Sequence, residues 1–167
     1  RHPVSIVTKS ALVLRDLDLL REMAAASLAS VFVSITSLDP ALARRMEPRA
    51  AAPHRRLEVV RELTAAGVPV GVLASPMIPA LNDHEMEQVL EAAVAAGATA
   101  ANYNVLRLPL EIKDLFTEWL EAHVPGRAQH VLDLIRDVRG GALYDSTWGK
   151  RMRGEGPYAE LLRTRFR

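Results

Sequence analysis

The chain has 167 residues, of which 49% are hydrophobic, 25% charged and 5% aromatic, and its formal net charge is +1. This length suits one domain with its own core, and the near-zero charge gives no overall electrostatic reason to expect nucleic acid or an anionic membrane as a partner. The chain contains no cysteine, which excludes disulfides, thiolate metal ligands and an iron–sulfur cluster held by this chain alone.

Four short apolar runs, rich in β-branched residues, predict strands rather than helices. They cover residues 4–7, 31–35, 68–78 and 101–108. Between them, apolar residues recur at helical spacing from Leu14, Leu57 and Met86. Gly67 and Gly97 follow the second and third of these stripes, where a left-handed residue commonly ends a helix.

The elements therefore alternate as β-α four times, which predicts parallel strands joined by right-handed crossovers. Such a unit suits half of a doubly wound sheet or part of a (β/α) barrel. In the second strand, Ser34 and Thr36 lie on one face with Phe32. Polar residues facing inward favour a barrel with a ligand at its mouth over a sheet covered by helices on both faces.

The pattern changes after Leu108. Residues 110–122 and 128–138 are predicted to be helices, separated by the break at Pro125 and Gly126. Residues 139–167 carry a local charge of +4, whereas the preceding 138 residues sum to −3. We therefore predict a barrel portion over residues 1–108 and a helical extension with a basic tail over residues 109–167.

The first two candidate sites lie where predicted strands run into loops, the usual ligand-binding positions of parallel α/β folds. Lys9 stands between two hydroxyl residues and suits a carboxylate or phosphate, although its spacing is more typical of a surface lysine beside a helix N-cap. Ser34 interrupts the second apolar run, while Ser37 and Asp39 suit the capping of the next helix.

The third candidate is the loop of residues 75–83, which contains two prolines. Two fixed φ angles make a stiff loop that suits either backbone contact with a planar ligand or a rigid connection to a helix. Asn82 and Asp83 supply an N-cap signal for that helix.

No complete catalytic set is recognisable elsewhere in the sequence. The five histidines lack metal-ligand spacing, and no glycine-rich phosphate loop or nucleophile elbow is present. Glu47, with Arg55 and Arg56 downstream, predicts an internal ion pair or an anion contact. No metal ligand and no catalytic residue is assigned.

The chain resembles the radical SAM superfamily in three runs: VSIVTKS, FVSITSLDPALARRMEPRAAAPHRRLEVVRELTAAGVPVGV and PMIPALNDHEMEQVLEAAVAAGA. Within that superfamily it resembles the subgroup described as spore photoproduct lyase-like, or DNA repair photolyase. The final run, RGGALYDSTWGKRMRGEGPYAELLRTRF, resembles the closing segment of one bacterial branch of this subgroup.

The resemblance implies a partial (β/α)₆ barrel in which a [4Fe–4S] cluster on a CxxxCxxC loop binds S-adenosylmethionine (SAM) and cleaves it to a 5′-deoxyadenosyl radical. The CxxxCxxC loop and the glycine-rich loop after the family's second strand are both missing from this sequence. We therefore expect the last four βα units and the extension of a longer enzyme, inactive alone. Its missing N-terminal part would be a partner and would pair with the first strand.

By the same resemblance, six residues bind SAM: Lys9, Ser34, Thr36, Arg56, Met77 and Asn82. Lys9 and Ser34 match the lysine and serine that contact the methionyl part of SAM in related lyases. Asn82 matches a loop position near the nucleoside, and Met77 is expected near the adenine. We expect Lys9, Ser34 and Asn82 to point into one concavity at the carboxyl ends of the strands.

Two other functions stay open from the sequence. Residues 139–167 suit a nucleic-acid-binding module, because basic residues there alternate with Tyr144, Trp148 and Tyr158. Alternatively, the chain is an α/β domain without radical chemistry that binds a small anion at Lys9 and Ser34. No apolar run suits a membrane span or a secretory signal, so we expect a cytoplasmic protein with no membrane partner.

Overall fold

Four parallel strands alternate with helices in the computed structural model, which describes residues 2–167. The sheet order is β1-β2-β3-β4, with strands Val4–Thr8, Ala29–Ser34, Val70–Met77 and Ala100–Val105. The helices are α1 (Leu17–Ala25), α2 (Pro40–Met46), α3 (Pro53–Ala65), α4 (Met86–Ala95), α5 (Ile112–His123), α6 (Ala128–Asp137) and α7 (Gly156–Phe166). This confirms the predicted α/β class, and the arrangement is that of a partial barrel with a helical C-terminus.

The chain divides into two compact units. The first consists of the chain up to Ser75 together with Gln88–Asn102, and the second of Pro76–Glu87 with Tyr103–Arg167. None of the helices within residues 2–167 is long and apolar enough to cross a membrane.

In the first unit, strand β2 separates a buried apolar face from a polar one. Val31, Val33 and Ile35 are buried, and α3 packs against this strand. Phe32 lies on the opposite face and pairs in register with Gly71 of β3. A Cβ at Gly71 would lie 2.2 Å from the Phe32 ring, so glycine is needed there to leave room for the ring. The alternation predicted for β2 is therefore confirmed.

Helix ends in this unit follow the predicted signals. Gly67 and Gly97 adopt positive φ angles of 77° and 102°, and the amide of Val68 donates to the carbonyl of Leu63 at 3.0 Å. This bond satisfies one of the last carbonyls of α3, as a left-handed cap does. The left-handed ends predicted at Gly67 and Gly97, which follow α3 and α4, are confirmed.

Helix α2 is an element that apolar spacing did not predict. It begins because the Asp39 carboxylate accepts a hydrogen bond from the amide of Ala41 at 2.8 Å, and Pro40 fits the first helical position. Ser37 accepts from the Asp39 amide at 3.0 Å. The predicted capping role of Ser37 and Asp39 is thus confirmed, and it positions the residues that follow α2.

In the second unit, β4 ends at Val105 rather than at the predicted Leu108. The Val105 amide donates to the carbonyl of Met152 at 2.8 Å, and the carbonyls of Val105 and Leu106 accept from the Arg139 side chain at 3.1 and 2.6 Å. Because a side chain takes these carbonyls, the strand stops. Apolar periodicity alone contains no signal for this long-range contact.

Candidate functional site

Four of the six predicted site residues meet in the first unit around one carboxylate, that of Glu47. The chain places Lys9 directly after β1, Ser34 at the end of β2, and Thr36 two residues further on. Arg56 projects from the first turns of α3, and Glu47 directly follows α2. The carboxyl ends of neighbouring parallel strands and two short helices therefore converge on the same place.

Cations occupy both oxygens of Glu47. Lys9 Nζ forms an ion pair with Glu47 Oε1, and Arg56 Nη2 donates to Glu47 Oε2 at 2.6 Å. Thr36 Oγ1 lies 2.9 Å from Glu47 Oε1 and 3.4 Å from Lys9 Nζ. The cluster thus joins one carboxylate, one hydroxyl and two cations, with a net charge of +1.

Arg56 fixes this cluster to the backbone. It is only 2% exposed, its Nη1 donates to the carbonyl of Ser34 at 2.9 Å, and its Nε donates to the carbonyl of Ala51 at 2.7 Å. A guanidinium has its donors in a rigid planar fork, so three such bonds determine its orientation. Arg56 therefore positions Glu47 and the end of β2.

The two hydroxyls join β2 to β3. Ser34 Oγ donates to the carbonyl of Ser75 at 3.0 Å, and Thr36 Oγ1 lies 3.1 Å from the same oxygen. Both side chains are buried. The Ser34 hydroxyl oxygen keeps lone pairs that accept hydrogen bonds, so an amine or ammonium group suits this edge.

Burial opposes ionisation of Glu47, yet hydrogen bonds from Lys9 and Arg56 outweigh it and lower the pKa of the carboxyl below its usual value. The Lys9 side chain is 38% exposed. Within the described residues its ammonium has two partners, Glu47 and Thr36, and it has three donors. The third N–H is therefore available to a carboxylate or phosphate.

Beside this cluster is a cleft of about 560 Å³ formed by α2, α3 and the loop between them. Glu47 lines it, together with the cation of Arg44 and the imidazole of His54. The remaining lining is small and apolar, from prolines and alanines of residues 40–53. This volume is large enough for a small organic ligand.

The structure confirms the ion pair predicted for Glu47 and shows that, of the two downstream arginines, Arg56 forms it. Arg55, the neighbouring candidate, turns outward and pairs with Glu58 at 3.0 Å and Glu62 at 2.9 Å. The sequence contained only a weak signal for the central position of Glu47, namely an acidic residue that follows α2 and stands close to Pro48.

Met77 and Asn82 belong to the second unit. Met77 is fully buried, and its carbonyl accepts from the amide of Leu106 at 2.9 Å. Asn82 is also fully buried; its Oδ1 accepts from the amide of Ile78 at 2.7 Å, and its Nδ2 donates to the carbonyl of Pro76 at 2.9 Å. Asn82 stands at the predicted N-cap position, directly before the helical turn Asp83–Glu85, but its side chain makes no capping bond because it closes the proline loop instead. The shared concavity with Lys9 and Ser34 stays a prediction.

The same unit contains the basic tail, and several of its cations have acidic partners there. Lys150 pairs with Glu155 at 2.7 Å, Arg163 pairs with Glu160, and Arg165 pairs with Glu87 at 2.6 Å. These pairs reduce the positive charge presented by the tail. Binding of nucleic acid to residues 139–167 stays a prediction.

Comparison with known proteins gives a family and several relatives. A family model of the Radical SAM superfamily matches residues 1–93. Uncharacterized proteins of Mycobacterium tuberculosis and Mycobacterium bovis are 34% identical over 165 residues, which is 98% of this chain and 45% of each relative. An uncharacterized protein of Acidianus two-tailed virus is 43% identical over 74 residues, or 44% of this chain and 24% of the relative.

The family match covers more than half of the chain, so this chain belongs to the radical SAM superfamily. It spans about half the length of the mycobacterial relatives that it matches. Members of the superfamily use SAM and a [4Fe–4S] cluster. The predicted superfamily is therefore confirmed.

The residues present fit one of these two groups. The cluster does not fit this chain, because the chain contains no cysteine. Residues 2–167 also include no group of three or more histidine or acidic side chains placed to hold a metal. SAM fits the first unit, because the third donor of Lys9 suits its carboxylate, while the acceptor oxygen of Ser34 suits its amine.

Proposed function

We propose that this chain forms the SAM-binding wall of a radical SAM enzyme whose cluster-binding segment lies upstream. Lys9 would bind the methionyl carboxylate of SAM, and Ser34 and Thr36 would bind its amine. Arg56 would act indirectly, by holding Glu47 and the end of β2. The observation that carries the proposal is the Lys9 ammonium, which is fixed on Glu47 yet retains an exposed donor.

In the second unit, Asn82 and Met77 would support the nucleoside part of SAM through the backbone of the loop that Asn82 closes. Bound SAM would supply a 5′-deoxyadenosyl radical for hydrogen abstraction from the substrate. The residues of this chain would bind and orient SAM and exclude water from it.

The proposed N-terminal partner segment has a surface to cover. Val7 of β1 is 63% exposed and pairs in register with Phe32 of β2. These two side chains form an apolar strip on the face of the sheet that also carries Ser34. Burying such a strip stabilises a barrel by roughly 25 cal/mol per Å² of apolar surface. The length of the mycobacterial relatives, of which this chain covers 45%, supports an additional segment of this kind.

The finer assignment is to the spore photoproduct lyase-like subgroup, with a lyase or DNA-repair-like reaction in a bacterial cytoplasm. Trp148 supports a nucleic-acid substrate, because the residue is 82% exposed and the Arg151 guanidinium lies 4.4 Å from the centre of its ring. An exposed ring next to a cation is the arrangement that stacks on unpaired bases. Salt-sensitive binding of single-stranded DNA, weakened in Trp148→Ala, is the expected result; binding that is insensitive to salt would contradict this substrate.

The experiment uses the protein together with its upstream segment, reconstituted anaerobically with iron and sulfide and reduced with dithionite. We expect formation of 5′-deoxyadenosine from SAM. Lys9→Met should weaken SAM binding about tenfold, which corresponds to the loss of one charge-assisted hydrogen bond. Lys113→Met, an exposed lysine of α5, is the matched control and should bind SAM normally. Reduced protein that leaves SAM uncleaved, or equal losses in both variants, would contradict the proposal.

A further inference from the structure

A second cationic group lies in the second unit, two residues beyond the end of β4. Arg107 Nη2 donates to the hydroxyl of Tyr144 at 3.3 Å, and Arg107 Nη1 donates to Met152 Sδ at 3.8 Å. Arg107 Nε is buried and has no hydrogen-bond partner. Within residues 2–167, no acidic side chain forms an ion pair with Arg107. Its charge is therefore held by two long bonds to neutral groups.

A neighbouring guanidinium adds to this positive charge. Arg139 is 3% exposed, and its donors reach four carbonyl oxygens at 2.6–3.1 Å, those of Val105, Leu106, Lys150 and Arg151. Burial lowers the pKa of Arg139 first, and repulsion by Arg107 lowers it further, whereas Asp145 acts in the opposite direction. Carbonyl dipoles solvate the Arg139 guanidinium but do not cancel its unit charge.

Asp145 is the acidic residue that acts on Arg139, and its own hydrogen bond keeps it from forming an ion pair with that arginine. Its Oδ1 accepts from the amide of Thr147 at 2.8 Å, so the carboxylate caps a turn. It affects Arg139 through space and forms no ion pair with Arg107 or Arg139 among the described residues. Asp145 therefore offsets part of the charge of Arg139 and leaves Arg107 without an acidic partner among the described residues.

We propose that Arg107 and Tyr144 form an oxyanion-binding site for the carboxylate or phosphate group of a ligand. A guanidinium recognises such groups through two parallel donors, and Arg107 offers its two Nη atoms, each of which has only a long bond to a neutral group. The Tyr144 oxygen accepts from Arg107, so its own proton is available to donate to the anion. Arg139 contributes positive charge and holds the strand end, and it does not touch the ligand.

The position of the group in the fold supports a ligand rather than a purely structural role. Loops that follow the carboxyl ends of parallel strands are the ligand-binding loops of barrels, and Arg107 lies in the loop that follows β4. A partly buried arginine with only weak neutral partners has lost hydration without an equivalent replacement. A bound oxyanion would replace that hydration. This inference does not depend on the SAM site proposed above.

The test measures binding of inorganic phosphate and, in a parallel arm, of acetate to the full chain by isothermal titration calorimetry. We expect saturable binding of at least one anion, and the preferred anion distinguishes a phosphate ligand from a carboxylate ligand. Arg107→Gln should weaken binding about tenfold and Tyr144→Phe about threefold, as expected for one charged and one neutral hydrogen bond. Arg163→Gln is the control, because it removes the same charge from a residue already paired with Glu160.

Two results would overturn the site: no saturable binding of either anion to the wild-type chain, or an equal loss of affinity in Arg163→Gln. Should Arg107→Gln fail to fold, NMR titration of the wild-type chain decides the question. Shifts centred on the Arg107 Nε–H and the Tyr144 ring support the site, and shifts centred elsewhere refute it.

Discussion

Arg56 in the first unit and Arg139 in the second are two buried guanidiniums with contrasting partners. Both donate to backbone carbonyls at strand ends, Arg56 to Ser34 and Arg139 to Val105 and Leu106. Only Arg56 also has a carboxylate, Glu47, at 2.6 Å. In the first unit, the carboxylate orients the cluster and leaves one donor of Lys9 available. In the second unit, the guanidiniums of Arg107 and Arg139 repel each other.

This comparison explains why each cluster suits a different ligand. In the first, the charge of Arg56 is already balanced, so a ligand meets an oriented ammonium and hydroxyl oxygens. In the second, neither Arg107 nor Arg139 is balanced by an ion pair within the described residues, so a ligand must bring negative charge. With a carboxylate beside it, a buried arginine positions the residues of a site. Without one, its charge is left unbalanced.

Removing the carboxylate should have the largest effect. Glu47→Ala leaves the guanidinium of Arg56 buried without a counter-charge, and removing one member of such a pair typically lowers the free energy of unfolding by about 3–5 kcal/mol. The measurement is urea denaturation followed by circular dichroism. Glu62→Ala is the control, because Glu62 pairs with the outward-facing Arg55. Similar losses in the two variants would mean that burial of Arg56 does not matter.

The second unit should respond less to loss of its buried arginine. Arg139→Gln leaves carbonyls of Val105, Leu106, Lys150 and Arg151 with fewer donors, and an unsatisfied buried polar group costs about 1–3 kcal/mol. The loss should be local, because these carbonyls connect the end of β4 to residues 150–151. Hydrogen exchange should therefore quicken over residues 147–154 and stay unchanged in α5. A uniform increase along the chain would argue against this local role.

Sequence reasoning found the fold because its signals are local. Apolar periodicity predicted the four strands, and Gly67 ended a helix because only a residue tolerant of positive φ suits that position. Helix α2 was missed because its seven residues are too few for a periodic pattern, although Asp39 and Pro40 marked its start.

The site was only partly predictable, since its contacts join residues far apart in the chain. Lys9 and Ser34 stood out as polar residues at strand ends, and the cluster around Glu47 joins them through Arg56. Asn82 lies at the predicted N-cap position, but the same amide that caps a helix also closes a loop, and here it closes the loop. Arg107 contributed no pattern, because the lack of an acidic partner is a property of three-dimensional contacts.

Acid should weaken the first cluster in a defined pH range. The pKa of Glu47 is lower in the folded chain than its ordinary value of 4.5. Its stabilising contribution is therefore complete above about pH 4.5 and is lost as pH falls through the lowered folded pKa. We expect the difference in unfolding free energy between wild type and Glu47→Gln to shrink below that pH. A difference that stays constant down to pH 3 would be inconsistent with an ionised Glu47 at the centre of the cluster.

The smallest loss of unfolding free energy should come from Tyr158→Phe. This variant tests whether the carboxylate of Asp83 stabilises the second unit. The Tyr158 hydroxyl donates to Asp83 at 2.6 Å, and burial first, then this bond, raise its pKa to about 12. Tyr158→Phe leaves Asp83 with Arg165 as a partner at 3.7 Å, so the loss should be near the 1 kcal/mol typical of one hydrogen bond.

The raised pKa of Tyr158 also fixes the sign of an alkaline effect. A phenol whose folded pKa lies above its unfolded value of 10 stabilises the folded chain fully below pH 10, and this contribution is lost as pH rises through about 12. Absorbance titration at alkaline pH should show one late-ionising tyrosine fewer in Tyr158→Phe. Tyr144→Phe, which leaves the bond between Tyr158 and Asp83 intact, is the control and should retain that late step. Loss of the late step in Tyr144→Phe would contradict the bond from Tyr158 to Asp83 that connects α7 to the loop of residues 76–83.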